Sequence, residues 1–195
     1  MRSWGRQRSG FTLIEMLVVI SLMGMIIILL GNFVSNSWSS YRMQNITALE
    51  QDQAASALRD FEITTRATTQ VSTASVSELK FLRFFDLDSP YPSQVRYFMN
   101  GNQFEVGQTE PVVAGTNVSY PAQNEQIKLV IKGIVNGGTL FKYYAGDNTE
   151  LAAPVNLSSI RMIGLTLEID ANGARQPGPV GVSTKVNLRN MKDNL

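Results

Sequence analysis

Neither cysteine nor histidine occurs among the 195 residues. Without cysteine there are no disulfides, so a domain exported from the cytoplasm has to be held by its core alone. Without histidine as well, Cys/His zinc centres, His-dependent triads and thiol chemistry are excluded. Proline is absent before Pro90, and no glycine falls between Gly31 and Gly101. That gap in helix breakers leaves room for a long uninterrupted helix. Charge is scarce and balanced, with 17 Lys and Arg against 16 Asp and Glu. There is no basic run and no basic patch interleaved with aromatics, so direct nucleic-acid binding has no electrostatic footprint. The length leaves room for one domain beyond a membrane anchor.

What is present is concentrated at the start of the chain. A basic leader carrying Arg2, Arg6 and Arg8 ends at Gly10, and an apolar run opens abruptly at Phe11. Glu15 is the one charge inside that run, and from Met16 to Leu30 only Ser21 and Gly24 are not strongly apolar. Phe11 to Leu30 is 20 residues, about 30 Å as a helix, which is enough to cross a hydrocarbon core. The arginines precede the run and the next basic residue is Arg42, so the positive-inside bias places the leader in the cytoplasm and the remainder outside. A carboxylate inside such a segment is a functional residue by default. Two plainer readings stand beside this one. The first is an ordinary anchor that tolerates Glu15. The second is a secretory signal cut near Ser35-Asn36-Ser37, against which the position of Glu15 argues.

The string Gly10-Phe11-Thr12-Leu13-Ile14-Glu15, with Gly24 as a weaker addition, resembles the class III signal of type IV pilins and type II secretion pseudopilins. The resemblance implies cleavage between Gly10 and Phe11 by a membrane prepilin peptidase, followed by N-methylation of Phe11. It implies a role for Glu15 in assembly, through pairing with the terminal amine of an adjacent subunit. Its further implied partners are other pilins or pseudopilins, an inner-membrane assembly platform and the lipid bilayer. Loss of the leader would leave 14 basic against 16 acidic side chains.

Beyond Leu30, Gly31-Asn32 loosens the helix and then helical spacing resumes. Val34, Trp38 and Tyr41 recur at i, i+4, i+7, as do Ala54, Leu58 and Phe61, which predicts one helix from Phe11 to about Thr68. Narrow apolar stripes of this kind let one side pack on its own domain and another on neighbours. Val71 to Ser77 is expected as a loop. About seven strands follow, at Leu79–Phe84, Gln94–Met99, Gln103–Val106, Gln126–Val135, Thr139–Tyr144, Ile160–Ile169 and Gly181–Leu188, with turns at Asn100-Gly101, Asn136-Gly137-Gly138 and Asn172-Gly173. The fold class is therefore α+β, one long helix carrying an antiparallel sheet, an arrangement that resembles the pilin fold. The expected divisions are a leader at 1–10, a transmembrane and filament-core helix at 11–31, the outer helix at 32–70 and a β-rich domain at 71–195. The Val95-Arg96-Tyr97-Phe98 hairpin, the Leu140–Tyr144 strand and Val186–Asn190 resemble J-type minor pseudopilins and related minor pilins more than major pilins.

The search for other chemistry returns little. Asp86 and Asp88 suggest calcium, but the EF-hand glycine and glutamate positions hold Tyr91 and Tyr97. Gly178 to Lys185 lacks the order of a phosphate loop, and no G-x-S-x-G elbow occurs. No catalytic residue, metal site or cofactor is assigned. Tyr97, Tyr120, Tyr143 and Tyr144 are expected in the core, although exposed they would make a binding surface. The sequence thus reads as a non-enzymatic minor pilin or pseudopilin that primes, caps or modifies a filament. Its place would be first the inner membrane, with the amino terminus inside, and then the extracytoplasmic filament or cell surface. An adhesin-like binding module at a filament tip is the alternative.

Overall fold

The computed structural model describes residues 12–86, 89–170, 173 and 178–189. It divides into two units, residues 1–45 and 46–195. One α-helix, α1 (Leu13–Arg66), runs through the boundary without a break, as the absence of proline allows.

In the first unit α1 buries nothing. Every large apolar side chain from Leu13 to Leu30 is at least 46% exposed, and Phe33, Val34, Trp38 and Tyr41 are exposed as well. The helix is long and apolar enough to cross a membrane.

In the second unit α1 becomes amphipathic. Ala54, Ala57, Phe61 and Thr65 recur at three- and four-residue spacing and are buried, so they lie on one face. Leu58, expected on that face, is only partly buried at its margin. The strands follow as β1 (Thr68–Ala74), β2 (Glu78–Arg83), β3 (Ser93–Asn100), β4 (Gln103–Thr109), β5 (Val112–Ala114), β6 (Asn117–Ser119), β7 (Gln126–Lys132), β8 (Phe141–Tyr144), β9 (Met162–Ile169) and β10 (Val180–Asn187). They form an antiparallel five-stranded sheet of order β1-β2-β3-β4-β7, a three-stranded sheet β10-β9-β8 and a small β5-β6 hairpin.

The core joins the helix to both larger sheets through aromatic rings. Phe61 meets Tyr97 edge-on at 5.2 Å and Phe141 at 6.1 Å, while Phe104 lies 5.6 Å from Tyr97 and 6.2 Å from Phe141. Tyr97 belongs to the larger sheet and Phe141 to the smaller, so one helical side chain bridges the two. The amides of Leu140 and Phe141 donate to the Val76 carbonyl at 2.7 and 3.0 Å, and the Tyr143 hydroxyl donates to the Ser75 carbonyl at 2.7 Å. The loop between β1 and β2 is thereby fastened to β8.

The structure differs from the sequence reading in one expected element and adds two features that the reading did not contain. The segment read as a loop from Val71 forms most of β1, because Thr68 and Val71 are buried and pair with β2 through two register shifts. Tertiary pairing here outweighs the Thr/Ser composition that suggested a loop. Val112–Ala114 and Asn117–Ser119, each three residues long, make a hairpin too short to leave a periodicity signal. Within the predicted Gln126–Val135 strand, Ile127, Leu129 and Ile131 alternate with Lys128 and Lys132 in the sequence, yet the three apolar residues do not share one buried face. A bulge pairs Phe104 with Ile131 but Glu105 with Leu129, which sends Leu129 to the opposite face from Ile131. Ile131 is accordingly 4% exposed and Leu129 40%.

Candidate functional site

The candidate site is the head of α1. Gly10 and Phe11 lie outside the described residues. From Thr12 the geometry is explicit. The Thr12 hydroxyl accepts a hydrogen bond from the Glu15 amide at 3.3 Å, and the Glu15 carboxylate accepts one from the Thr12 amide at 3.4 Å. The Thr12 carbonyl also accepts from the amides of Glu15 and Met16 at 3.1 and 3.2 Å. This is a reciprocal capping box, in which two amides that a helix start leaves unsatisfied are covered by side chains. The carboxylate also faces the positive end of the helix dipole. The T-x-x-E spacing before an apolar run carried this signal in the sequence, and reading Glu15 only as a buried charge missed it.

Farther along, the polar interruptions in the apolar run are accounted for locally. The Ser21 hydroxyl donates to the Leu17 carbonyl at 2.8 Å, so it brings no unsatisfied group into an apolar medium. At Gly24 an added Cβ would meet nothing within 4 Å, so nothing inside the subunit requires a glycine there.

The β-rich unit offers less. A groove of about 570 Å³ lies between α1 and the larger sheet, lined by Gln53, Asp60, Thr64, Tyr97, Gln108 and Lys128 among others. Among the described residues Asp60 is the one acidic side chain lining it, so these residues do not supply the convergent carboxylates that acid–base hydrolysis needs. Burial pushes the Tyr97 phenol up to about 12, against the hydrogen bond from Thr64. Among the described residues no group of three or more Asp or Glu side chains is placed to hold a metal. Asp86 is exposed, and Asp88 lies outside the described residues. Asp147 and Asp170 close turns, accepting from the amides of Thr149 at 3.0 Å and Gly173 at 2.8 Å. Tyr97 and Tyr143 are core residues at 3% exposure, whereas Tyr120 and Tyr144 are partly buried.

On the outer face of the larger sheet, Arg96 forms ion pairs with Glu78 at 2.8 Å and Glu125 at 3.2 Å, and its guanidinium lies 3.9 Å above the Phe98 ring. Gly107 makes room for this arrangement, since a Cβ there would collide with the Glu125 carboxylate. No sequence motif marked this cluster. Its members come from four places in the chain and meet only through strand register.

Residues 5–31 match the model of the prokaryotic N-terminal methylation motif. The chain carries a prepilin-type signal. The matched segment includes the capping box and the exposed apolar residues of α1 from Leu13 to Leu30, so the motif and the geometry coincide there. With its α+β architecture, the protein is pilin-like. No curated protein matches the chain.

Proposed function

We infer that the chain is a minor pilin or minor pseudopilin, a structural subunit of a type IV pilus or type II secretion-like filament. The observation that carries this reading is the coincidence of the prepilin-type motif at residues 5–31 with a helix whose apolar residues 13–30 all face outward. Such a surface has to be covered by lipid before assembly and by other helices afterwards. Prepilin peptidase cuts between Gly10 and Phe11 and N-methylates Phe11. The subunit waits in the inner membrane with its β-rich domain outside. It then joins other pilins or pseudopilins through the assembly platform.

Glu15 has a task on each side of that transition. In the free subunit it closes the capping box. In the filament it pairs with the terminal amine of a neighbour and sets axial register. A minor rather than a major role is supported by the chain's departures from many major pilins. It has no disulfide-closed C-terminal loop and no proline where α1 passes Gly31. Mass spectrometry of the mature protein tests the reading, with N-methylated Phe11 expected at the terminus. A terminus near Ser37 would establish conventional signal cleavage and overturn it.

A further inference from the structure

We propose that, before assembly, the hydrocarbon layer holds Met16 to Val34, and that Trp38 and Tyr41 anchor the helix in the outer headgroup zone. The inference rests on the membrane-stored subunit proposed above and fixes its depth. Residues 16–41 carry no charge at all, which is 26 positions and longer than one hydrocarbon crossing needs. The chain can therefore slide between registers, and the polar groups at its two ends decide which is occupied.

In a register running from Phe11 to Leu30, Glu15 lies about 6 Å inside the hydrocarbon. The exposed side chains Phe33 and Val34 then lie outside it. Shifting the layer to Met16–Val34 gives 19 residues, about 28 Å, which still fills a core of about 30 Å. The shift puts Phe33 and Val34, 70% and 61% exposed in the subunit, into lipid. It also brings Glu15 and its capping partner Thr12 to the inner interface. Against this, Leu13 and Ile14, 86% and 67% exposed, move from the hydrocarbon to the inner interface and offset the gain at Phe33 and Val34, and Asn32 enters by about 3 Å, two residues inside the edge. An amide costs far less to desolvate than a carboxylate, so the shifted register is favoured.

The outer end agrees independently. Trp38 and Tyr41 follow Val34 by four and seven residues, about 6 and 10 Å. Their side chains lean back toward the helix amino terminus, and so toward the lipid. Their rings lie 6.5 Å apart, and both are exposed. The headgroup zone is about 5–8 Å thick on each side, and Trp and Tyr rings concentrate there because one part is apolar and the polar tip is wet. Arg42 follows at once as the first charge on that side.

The composition supplies clean probes. The chain has no cysteine, and its two tryptophans are Trp4 and Trp38. The full chain carrying Trp4→Phe, in phosphatidylethanolamine/phosphatidylglycerol vesicles, leaves Trp38 as the sole reporter. Its emission should be quenched by lipids labelled at the headgroup or the top of the acyl chains, and little by lipids brominated near the chain ends. Independently, single Asn32→Cys and Asn45→Cys variants should differ at least tenfold in labelling by a membrane-impermeant maleimide, with Asn32→Cys the slower. A chain that floats with the vesicles yet labels equally fast at both positions, or whose Trp38 ignores every lipid quencher, overturns the register. A chain that fails to float overturns the anchor reading itself.

Discussion

At residue scale, the cap that Glu15 makes with Thr12 and the pairing proposed for it in the filament can be separated by substitution. Glutamine at the third helical position still serves a capping box, whereas leucine does not. Removing Thr12's hydroxyl should cost the helix start about 1 kcal/mol and leave the charge in place. Once packed among apolar helices, losing one member of a charge pair costs about 3–5 kcal/mol, because the other charge is stranded. Glu15→Gln should therefore insert and be cleaved normally but enter filaments about as poorly as Glu15→Leu, while Thr12→Ala should assemble nearly normally. Comparing each variant's share in membrane fractions and in sheared filaments checks this. Normal incorporation of Glu15→Gln would remove the pairing role and leave the cap as the function of the residue.

Gly107 gives a second test at the same scale. A methyl group there displaces the Glu125 carboxylate that reaches Arg96. That ion pair is partly exposed and worth at most about 1 kcal/mol, so Gly107→Ala should destabilise by no more than about that. In a Glu125→Ala background the clash disappears, and the smaller backbone entropy of alanine makes the same change neutral or slightly stabilising. A double-mutant cycle on denaturant midpoints reads the coupling directly, and additive effects would show that Glu125 does not occupy the space above Gly107.

At the scale of elements, the long helix was legible because it depends on local chemistry, namely apolar spacing and an absence of breakers. The β3–β4 hairpin was legible for a similar reason, with Asn100 and Gln103 paired across Gly101, whose φ is +62°. What escaped the sequence depends on partners. β1 is a strand because β2 lies beside it, and Leu129 faces away from Ile131 because of a bulge against β4. The division of the strands into two sheets was equally invisible, since it follows from which strand edges pair, and Phe61 touches both sheets. That contact makes Phe61 the side chain whose loss should matter most to the β-rich unit. It is fully buried among Tyr97 and Phe141, so Phe61→Ala should cost about 3–5 kcal/mol. The fall in denaturant midpoint measures it, and a cost below 1 kcal/mol would mean that the helix is not the bridge between the sheets.

At the scale of the whole molecule, the continuous exposed apolar run from Leu13 to Leu30 and the buried core belong to different parts of the chain, so they should separate by truncation. A fragment beginning at Val34 keeps the helical face of Ala54, Ala57 and Phe61 with every strand, and loses Leu13 to Leu30. It should be a soluble monomer with mixed helix and strand circular dichroism. Such a fragment also permits a pH experiment set by its core. Burial raises both the Tyr97 phenol, to about 12, and the Tyr143 phenol, where the hydrogen bond to Ser75 opposes the rise only in part. Both hydroxyls therefore stay protonated in the folded state after they have ionised in the unfolded chain. Below pH 10 the two states hold the same protons, and the tyrosines leave stability unchanged. As pH rises from 10 toward 12, the unfolded state alone sheds its protons, and each tyrosine removes about 1.4 kcal/mol of stability per pH unit. Denaturant midpoints should thus be flat from pH 8 to about 10 and then fall steeply. Tyr97→Phe, which has no proton to lose, should make that fall shallower by about the share of one tyrosine. An unchanged slope in the variant would mean that the Tyr97 hydroxyl reaches water and ionises in the folded domain.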